Sequence, residues 1–98
     1  MSALRFEWDQ RKNRLNRRRH GITFEEAEGV FLDDDALLID DPDHSDQEDR
    51  FVLLGFSFRL RVLVVCHCYR HGSDVIRIIS ARKANPTERE LYTQRRHR

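Results

Sequence analysis

RVLVVCHCYRHGSDVIRIISARKANPTERE, residues 61–90, is the stretch whose reading decides the fold. It holds two apolar runs, RVLVVCHCY (61–69) and DVIRIISAR (74–82), joined through RHGSD, where Gly72 marks a turn. Runs rich in Val and Ile with a short glycine-bearing break predict neighbouring antiparallel strands. A third run, RFVLLGFSF (50–58), reaches the first through FRLR, a turn without Gly, Asn or Asp whose geometry stays open. Several runs are apolar on both parities, as in central strands covered on both faces. The quoted stretch ends on helix-start chemistry: Asn85 is the cap, Pro86 takes the first helical position and Glu88 the third.

Upstream, FEWD (6–9) opens as a short extended segment. Asp9 then caps a helix through QRKNRLNRRRH that stops at Gly21, the favoured residue just past a helix end. Leu15 is the only large apolar residue inside it, so the expectation is a loosely packed helix showing cations all round. A second helix begins at Thr23, with Glu26 placed for a capping box and Ile22 for a staple onto Ala27. Phe24, Ala27, Val30 and Phe31 form its apolar stripe, and the DDD at 33–35 ends it. ALLID (36–40) reads as a further strand, followed by a polar loop in which Pro42 bars both helix and central strand. The expectation is one α+β domain spanning 1–98. In it, an antiparallel sheet of four to five strands packs with two N-terminal helices and one C-terminal helix.

The 98 residues are 39% hydrophobic and 36% charged, the latter above the roughly 25% of average domains. No apolar run approaches the roughly 18 residues of a membrane span, and the first residues lack the apolar core of a signal peptide. The expected compartment is the cytoplasm, with no membrane partner. Cys66 and Cys68, two apart on one strand, are poorly placed to bridge each other and read as small core residues. The net charge of +1 hides strong segregation. Residues 1–20 carry seven Lys/Arg against two acids, residues 21–50 one against twelve, and residues 51–98 ten against three. Basic ends suit a polyanion and the acidic middle a basic partner, while a solvated, self-complementary surface is the plain alternative.

FEWD with Lys12-Asn13, RRHGITFEEAEGVFLDD, DPDHSDQEDRFVLLGFS, RVLVVCHCYR and RIISARKANPTERELY together resemble the BrnT toxins of bacterial type II toxin–antitoxin systems. The motifs run in family order over residues 6–92. Two departures stand out: FRLR where the family carries a glycine-containing turn, and the CHC triplet. The resemblance implies a RelE-like fold and an endoribonuclease that cleaves RNA, most of all mRNA, and arrests translation. It implies metal-independent attack of the ribose 2′-hydroxyl on the adjacent phosphate, with no cofactor. It further implies a BrnA-like DNA-binding antitoxin that neutralises the toxin in a heterotetramer and alone contacts operator DNA. A catalytically silent, antitoxin-binding co-repressor is the alternative reading.

Such cleavage needs a group to take the hydroxyl proton, another to protonate the 5′-oxygen, and cations to offset charge on the phosphorane. Arginine suits the last role, because its planar fork matches two phosphate oxygens. Arg82, Arg77 and Arg50, on or at the ends of strands, are therefore catalytic candidates, with Arg82 first. His67 titrates in the range suited to proton transfer, or else is a buried histidine bonded to backbone. Tyr92 either packs its ring or donates its hydroxyl to phosphate, and Glu88 mainly serves the helix start. Arg61, Lys83, Lys12, Arg14 and Arg18 are candidates for binding the RNA backbone, and the basic first helix could instead receive an acidic antitoxin segment. Trp8 reads as a packing anchor. No metal site is expected, either at His44 in its acidic loop or at the CHC triplet, where His67 points away from both thiols. If Arg70 pairs with Val75, His67 shares a face with Ile76, Ile78, Ser80 and Arg82, and Arg77 lies opposite beside Cys68.

Overall fold

The computed structural model describes residues 4–40, 50–70, 72 and 74–97. The elements are β1 (Arg5–Glu7), α1 (Gln10–His20), α2 (Phe24–Gly29), β2 (Leu37–Asp40), β3 (Phe51–Phe56), β4 (Val62–Arg70), β5 (Val75–Lys83) and α3 (Pro86–Arg96). The acidic loop and His44 lie outside the described residues. One sheet has the order β1-β5-β4-β3-β2. Its last four strands are antiparallel, but β1 runs parallel to β5, Phe6 opposite Ile76. The sheet is therefore mixed rather than antiparallel throughout. Three residues are too few to carry a pattern that fixes a strand's direction.

The local start and stop signals act as read. The Asp9 carboxylate accepts from the Arg11 and Lys12 N–H groups at 2.8 and 3.3 Å, and Gly21 closes α1 with φ 72°. Asn85 and Glu88 form a complete capping box at α3. At α2 the box is only half made. Thr23 accepts from the Glu26 N–H, but the Glu26 carboxylate is taken up by Ser57 Oγ at 2.7 Å and by Arg61 at 2.8 and 2.6 Å. Two acceptors of a buried carboxylate are better satisfied by a guanidinium and a hydroxyl than by one backbone N–H. The turn between β3 and β4 closes through Leu60, held at φ 62°, a left-handed position that glycine would fill without strain.

α1 is not loosely packed; it is fastened by amides. Asn13 Oδ1 accepts from the Phe24 N–H at 2.8 Å. Asn16 donates to the carbonyls of Ile22 and Ala81, both at 2.8 Å, and accepts from the Ala81 N–H at 3.1 Å. Both asparagines are buried, whereas Leu15 is 38% exposed. Buried hydrogen bonds of this kind each contribute about 1 kcal/mol, and more is lost when one partner is left unpaired.

The core lies mainly on the sheet face under α1 and α2. Ile22, Phe24, Ala27 and Val30 pack there against Leu53, Leu63, Val65, Ile76, Ile78 and Ala81. Full burial of each large apolar side chain contributes about 1.5–3 kcal/mol. Gly55 lets the short 3-10 turn after α2 (Val30–Leu32) approach β3, since a Cβ there would sit 2.8 Å from Val30 Cγ1. The opposite face buries a smaller set, Val52, Leu54, Val64 and Ala84, beneath Tyr92 of α3.

Register decides which cations share a face. Arg70 does pair with Val75, His67 with Ile78, and Cys68 with Arg77. Between Cys66 and His67 the ladder shifts, so Cys66 pairs with Ser80 and Ile79 is left as an inserted residue. A bulge of this type switches the face of everything beyond it. Arg82, opposite Val64, therefore lies on the same side as Arg77, and His67 lies on the other, a correction to the regular-strand grouping.

Candidate functional site

The second sheet face is only partly roofed, because α3 covers β3 and the start of β4. Farther along, Cys66, Cys68, Arg77 and Ile79 stay half-buried and Ser80 is exposed. A cleft of about 410 Å³ opens here, bounded by the start of β3, the end of β4, β5 and the first turn of α1. Lys12, Arg50, Arg70 and Arg77 bring four cations to it, and Cys68 and Ile79 add smaller apolar surface. No carboxylate is among the described residues lining it.

Glu7, on the edge strand, supports the cleft from outside. Its Oε2 binds Arg77 Nη1 at 2.7 Å and lies 3.5 Å from Arg70 Nη1. One carboxylate thus fixes two guanidiniums, and among the described residues the cleft keeps a surplus of positive charge. Arg50 is half-buried, and its Nε finds no hydrogen-bond partner among the described residues.

Of the expected site residues, the cleft gathers Arg77, Arg50 and Lys12, and adds Arg70, which the sequence reading passed over. The others are elsewhere. Arg82 is exposed on the same sheet face, but its guanidinium is held by both oxygens of Glu88, at 2.8 and 2.9 Å, and it does not line the cleft. Those bonds, with the Asn85 N–H, hold the Glu88 carboxyl below its ordinary range despite partial burial. Arg61 is fixed on Glu26, whose carboxyl stays low because Arg61 and Ser57 outweigh the penalty of burial. Arg61 is thus engaged by the scaffold and does not line the cleft. Lys83 is exposed opposite Leu63, and Arg14 and Arg18 project from α1 into solvent.

Although its neighbour Tyr69 lines the cleft, His67 does not. It is fully buried between Phe31, Phe51 and Tyr69, on the face away from the cleft. Burial pushes its pKa down, against the opposing effect of the Val65 carbonyl. Its Nδ1 lies 3.1 Å from that carbonyl oxygen and so carries the proton, leaving Nε2 to accept from the Tyr69 hydroxyl at 3.3 Å. Tyr92 is likewise structural. It is 3% exposed, stacks on Phe56 and donates to Asp33 Oδ2 at 2.5 Å. Burial and that carboxylate push its hydroxyl pKa well up. Trp8 packs edge-on against Phe24, as a packing anchor should. Cys66 and Cys68 form no disulfide among the described residues and are half-exposed rather than core residues, because the α3 roof stops short of them. Among the described residues no three His, Cys, Asp or Glu side chains gather as a metal site requires.

A small α+β domain that leaves one sheet face open and concentrates fixed cations there is built to grip a polyanion. Residues 8–88 match the family described as "Ribonuclease toxin, BrnT, of type II toxin-antitoxin system", and the chain belongs to that family. Among solved structures it is similar to the Brucella abortus ribonuclease toxin BrnT, with a TM-score of 0.64 and 24% identity. That match covers 85% of this chain and 99% of the Brucella chain, and it supports the fold. A comparison with curated proteins gives no match. Membership implies an RNA substrate and an antitoxin partner. No described helix is long and apolar enough to cross a membrane.

Proposed function

We propose that this protein is a metal-independent endoribonuclease that cleaves mRNA in the cytoplasm, with the scissile phosphate held in the basic cleft. The observation that supports this reading is the gathering of Lys12, Arg50, Arg70 and Arg77 around one cavity. In the reaction the ribose O2′ bonds to phosphorus and the P–O5′ bond breaks, leaving a 2′,3′-cyclic phosphate and a 5′-hydroxyl. Fixed guanidiniums stabilise the extra charge of the phosphorane without reorganising, the largest contribution such a site can make. Arg77 and Arg70, braced by Glu7, grip the non-bridging oxygens. The same charge eases loss of the 2′-hydroxyl proton to water, and the Lys12 ammonium donates a proton to the departing O5′.

In this reading a BrnA-like DNA-binding antitoxin neutralises the protein in a heterotetramer by covering the cleft, and operator DNA is contacted only through that antitoxin. The test is incubation of end-labelled RNA with wild type and with the Lys12→Ala/Arg77→Ala double variant, in EDTA. Wild type should yield fragments with cyclic phosphate ends and the folded double variant should not. Intact RNA with wild type that still binds its antitoxin would mean a silent co-repressor and end the enzyme reading.

A further inference from the structure

The cleft is not an isolated hollow. A second cavity of about 300 Å³ lies along the seam between α1 and β5, and Lys12 and Ile79 line both. Ile79 is the inserted residue of the bulge, with no partner in the β4–β5 ladder. A bulged residue is re-aimed relative to its strand, and here that places a half-buried isoleucine at the divide between the two basic hollows.

The far wall of the second cavity is one face of α1. Lys12, Leu15 and Arg19 recur at helical spacing on it, with His20 at its end. Seven residues separate Lys12 from Arg19, about 10 Å along the helix axis and farther than one phosphate group can span. Extended away from each other, the two cations can hold different phosphates. Between them, Leu15 at 38% exposed and half-buried Ile79 offer apolar surface, of the kind a base covers when its phosphates are held at either side. No carboxylate is among the described residues that line the second cavity, so nothing there opposes an anion.

We propose that this seam is a second nucleotide subsite, which holds the residue adjoining the scissile linkage by its base on Leu15 and Ile79 and by its outer phosphate on Arg19 and His20. The assignment rests on the cleft being the place where RNA is cleaved, and it predicts that the protein reads RNA by length as well as by the bond it breaks. Single-stranded binding sites of this kind combine a cationic track with surfaces for successive bases.

The experiment compares wild type with Arg19→Ala and Leu15→Asp on two probes, a dinucleoside monophosphate and a pentanucleotide, each as cleavable RNA and as an uncleavable 2′-O-methyl form. Both substituted side chains are exposed, and circular dichroism confirms that the variants are folded. Arg19→Ala should weaken pentanucleotide binding by about 5–10-fold and make its salt dependence shallower by about 0.7 in log–log slope, the loss of one phosphate contact to a single strand. Leu15→Asp should weaken both probes, because each carries the base that adjoins the scissile linkage, whereas Arg19→Ala should leave the dinucleotide, which has no outer phosphate, unchanged. Equal behaviour of both variants and wild type on the pentanucleotide would overturn the subsite, as would an equal loss on both probes for Arg19→Ala. Arg19-dependent binding of a deca-glutamate peptide with no effect of RNA length would also overturn it and give the seam to an acidic protein segment. Wild type that binds the 2′-O-methyl pentanucleotide through Arg19 but cleaves neither RNA would refute the ribonuclease reading while leaving the subsite standing.

Discussion

Two arginine–glutamate pairs sit at opposite ends of the sheet and differ in one respect, access to water. Arg61 and Glu26 close the end where β3 turns into β4, with the Glu26 side chain only 2% exposed. Arg77 and Glu7 close the other end, with side chains 31% and 35% exposed. At the first end the carboxylate is wholly satisfied by Arg61 and Ser57, and the arginine is consumed by the scaffold. At the second, one carboxylate is shared by two arginines, and Lys12 and Arg50 add charge that Glu7 does not balance. The same residue types thus make a closed structural clamp where solvent is excluded and a solvent-facing cluster of cations where it is not.

The sharpest way to break the comparison is Arg61→Ala. It strands a buried carboxylate, and unfolding in urea should show a loss of about 3 kcal/mol or more. A loss below about 1 kcal/mol would mean that Glu26 is no more buried than Glu7. Arg77→Ala should do the reverse. Stability should fall by about 1 kcal/mol or less, since the pair is about one-third exposed, while the rate of RNA cleavage drops by about 10²-fold or more. Equal rates for Arg77→Ala and wild type would remove the cleft from the mechanism.

A smaller effect separates His67 from the cleft. Because burial lowers its pKa, the unfolded chain binds a proton more readily than the fold does. Stability from this group is complete above the ordinary histidine pKa of about 6.5 and declines as pH falls below it. Thermal melts between pH 8 and pH 5.5 should show that decline in wild type, with a shallower slope for His67→Gln. An unchanged slope would mean that another group titrates there. The least effect is expected of Arg82→Ala. Removing its exposed pair with Glu88 should shift stability by less than about 1 kcal/mol and lower cleavage far less than Arg77→Ala. A loss matching that of Arg77→Ala would place Arg82 at the phosphate after all.

Much of this architecture could be read from local chemistry. Asp9, Gly21, Thr23 and the Asn85-Pro86 start each act through one or two backbone groups near in sequence, so their signals are self-contained. The pairing of Arg70 with Val75 follows from a short turn in the same way. The site was harder to see, because it depends on one inserted residue. Nothing in RIISARK marks Ile79 as a bulge, yet the bulge carries Arg82 from the face of His67 to that of Arg77. The packing of the first helix was misjudged for a related reason. Asn13 and Asn16 carry polar atoms whose partners, at Phe24 and Ala81, lie on other elements, and composition cannot show a partner. Arg70 went unremarked because it sits at a turn, where a cation ordinarily means only solvent.

The two bonds between the Asn16 amide and Ala81 have a further consequence. β1 is only three residues long, so among the described residues no strand lies beside the outer edge of β5 past Arg77. A primary amide presents a donor and an acceptor side by side, as one residue of a neighbouring strand would. Asn16 supplies both to the N–H and C=O of Ala81, and α1 lies across the gap as a cover. This stretch of the sheet edge is thereby closed at Ala81 by a single side chain. An asparagine buried in the most basic helix thus removes one place where another chain's backbone could add to the sheet.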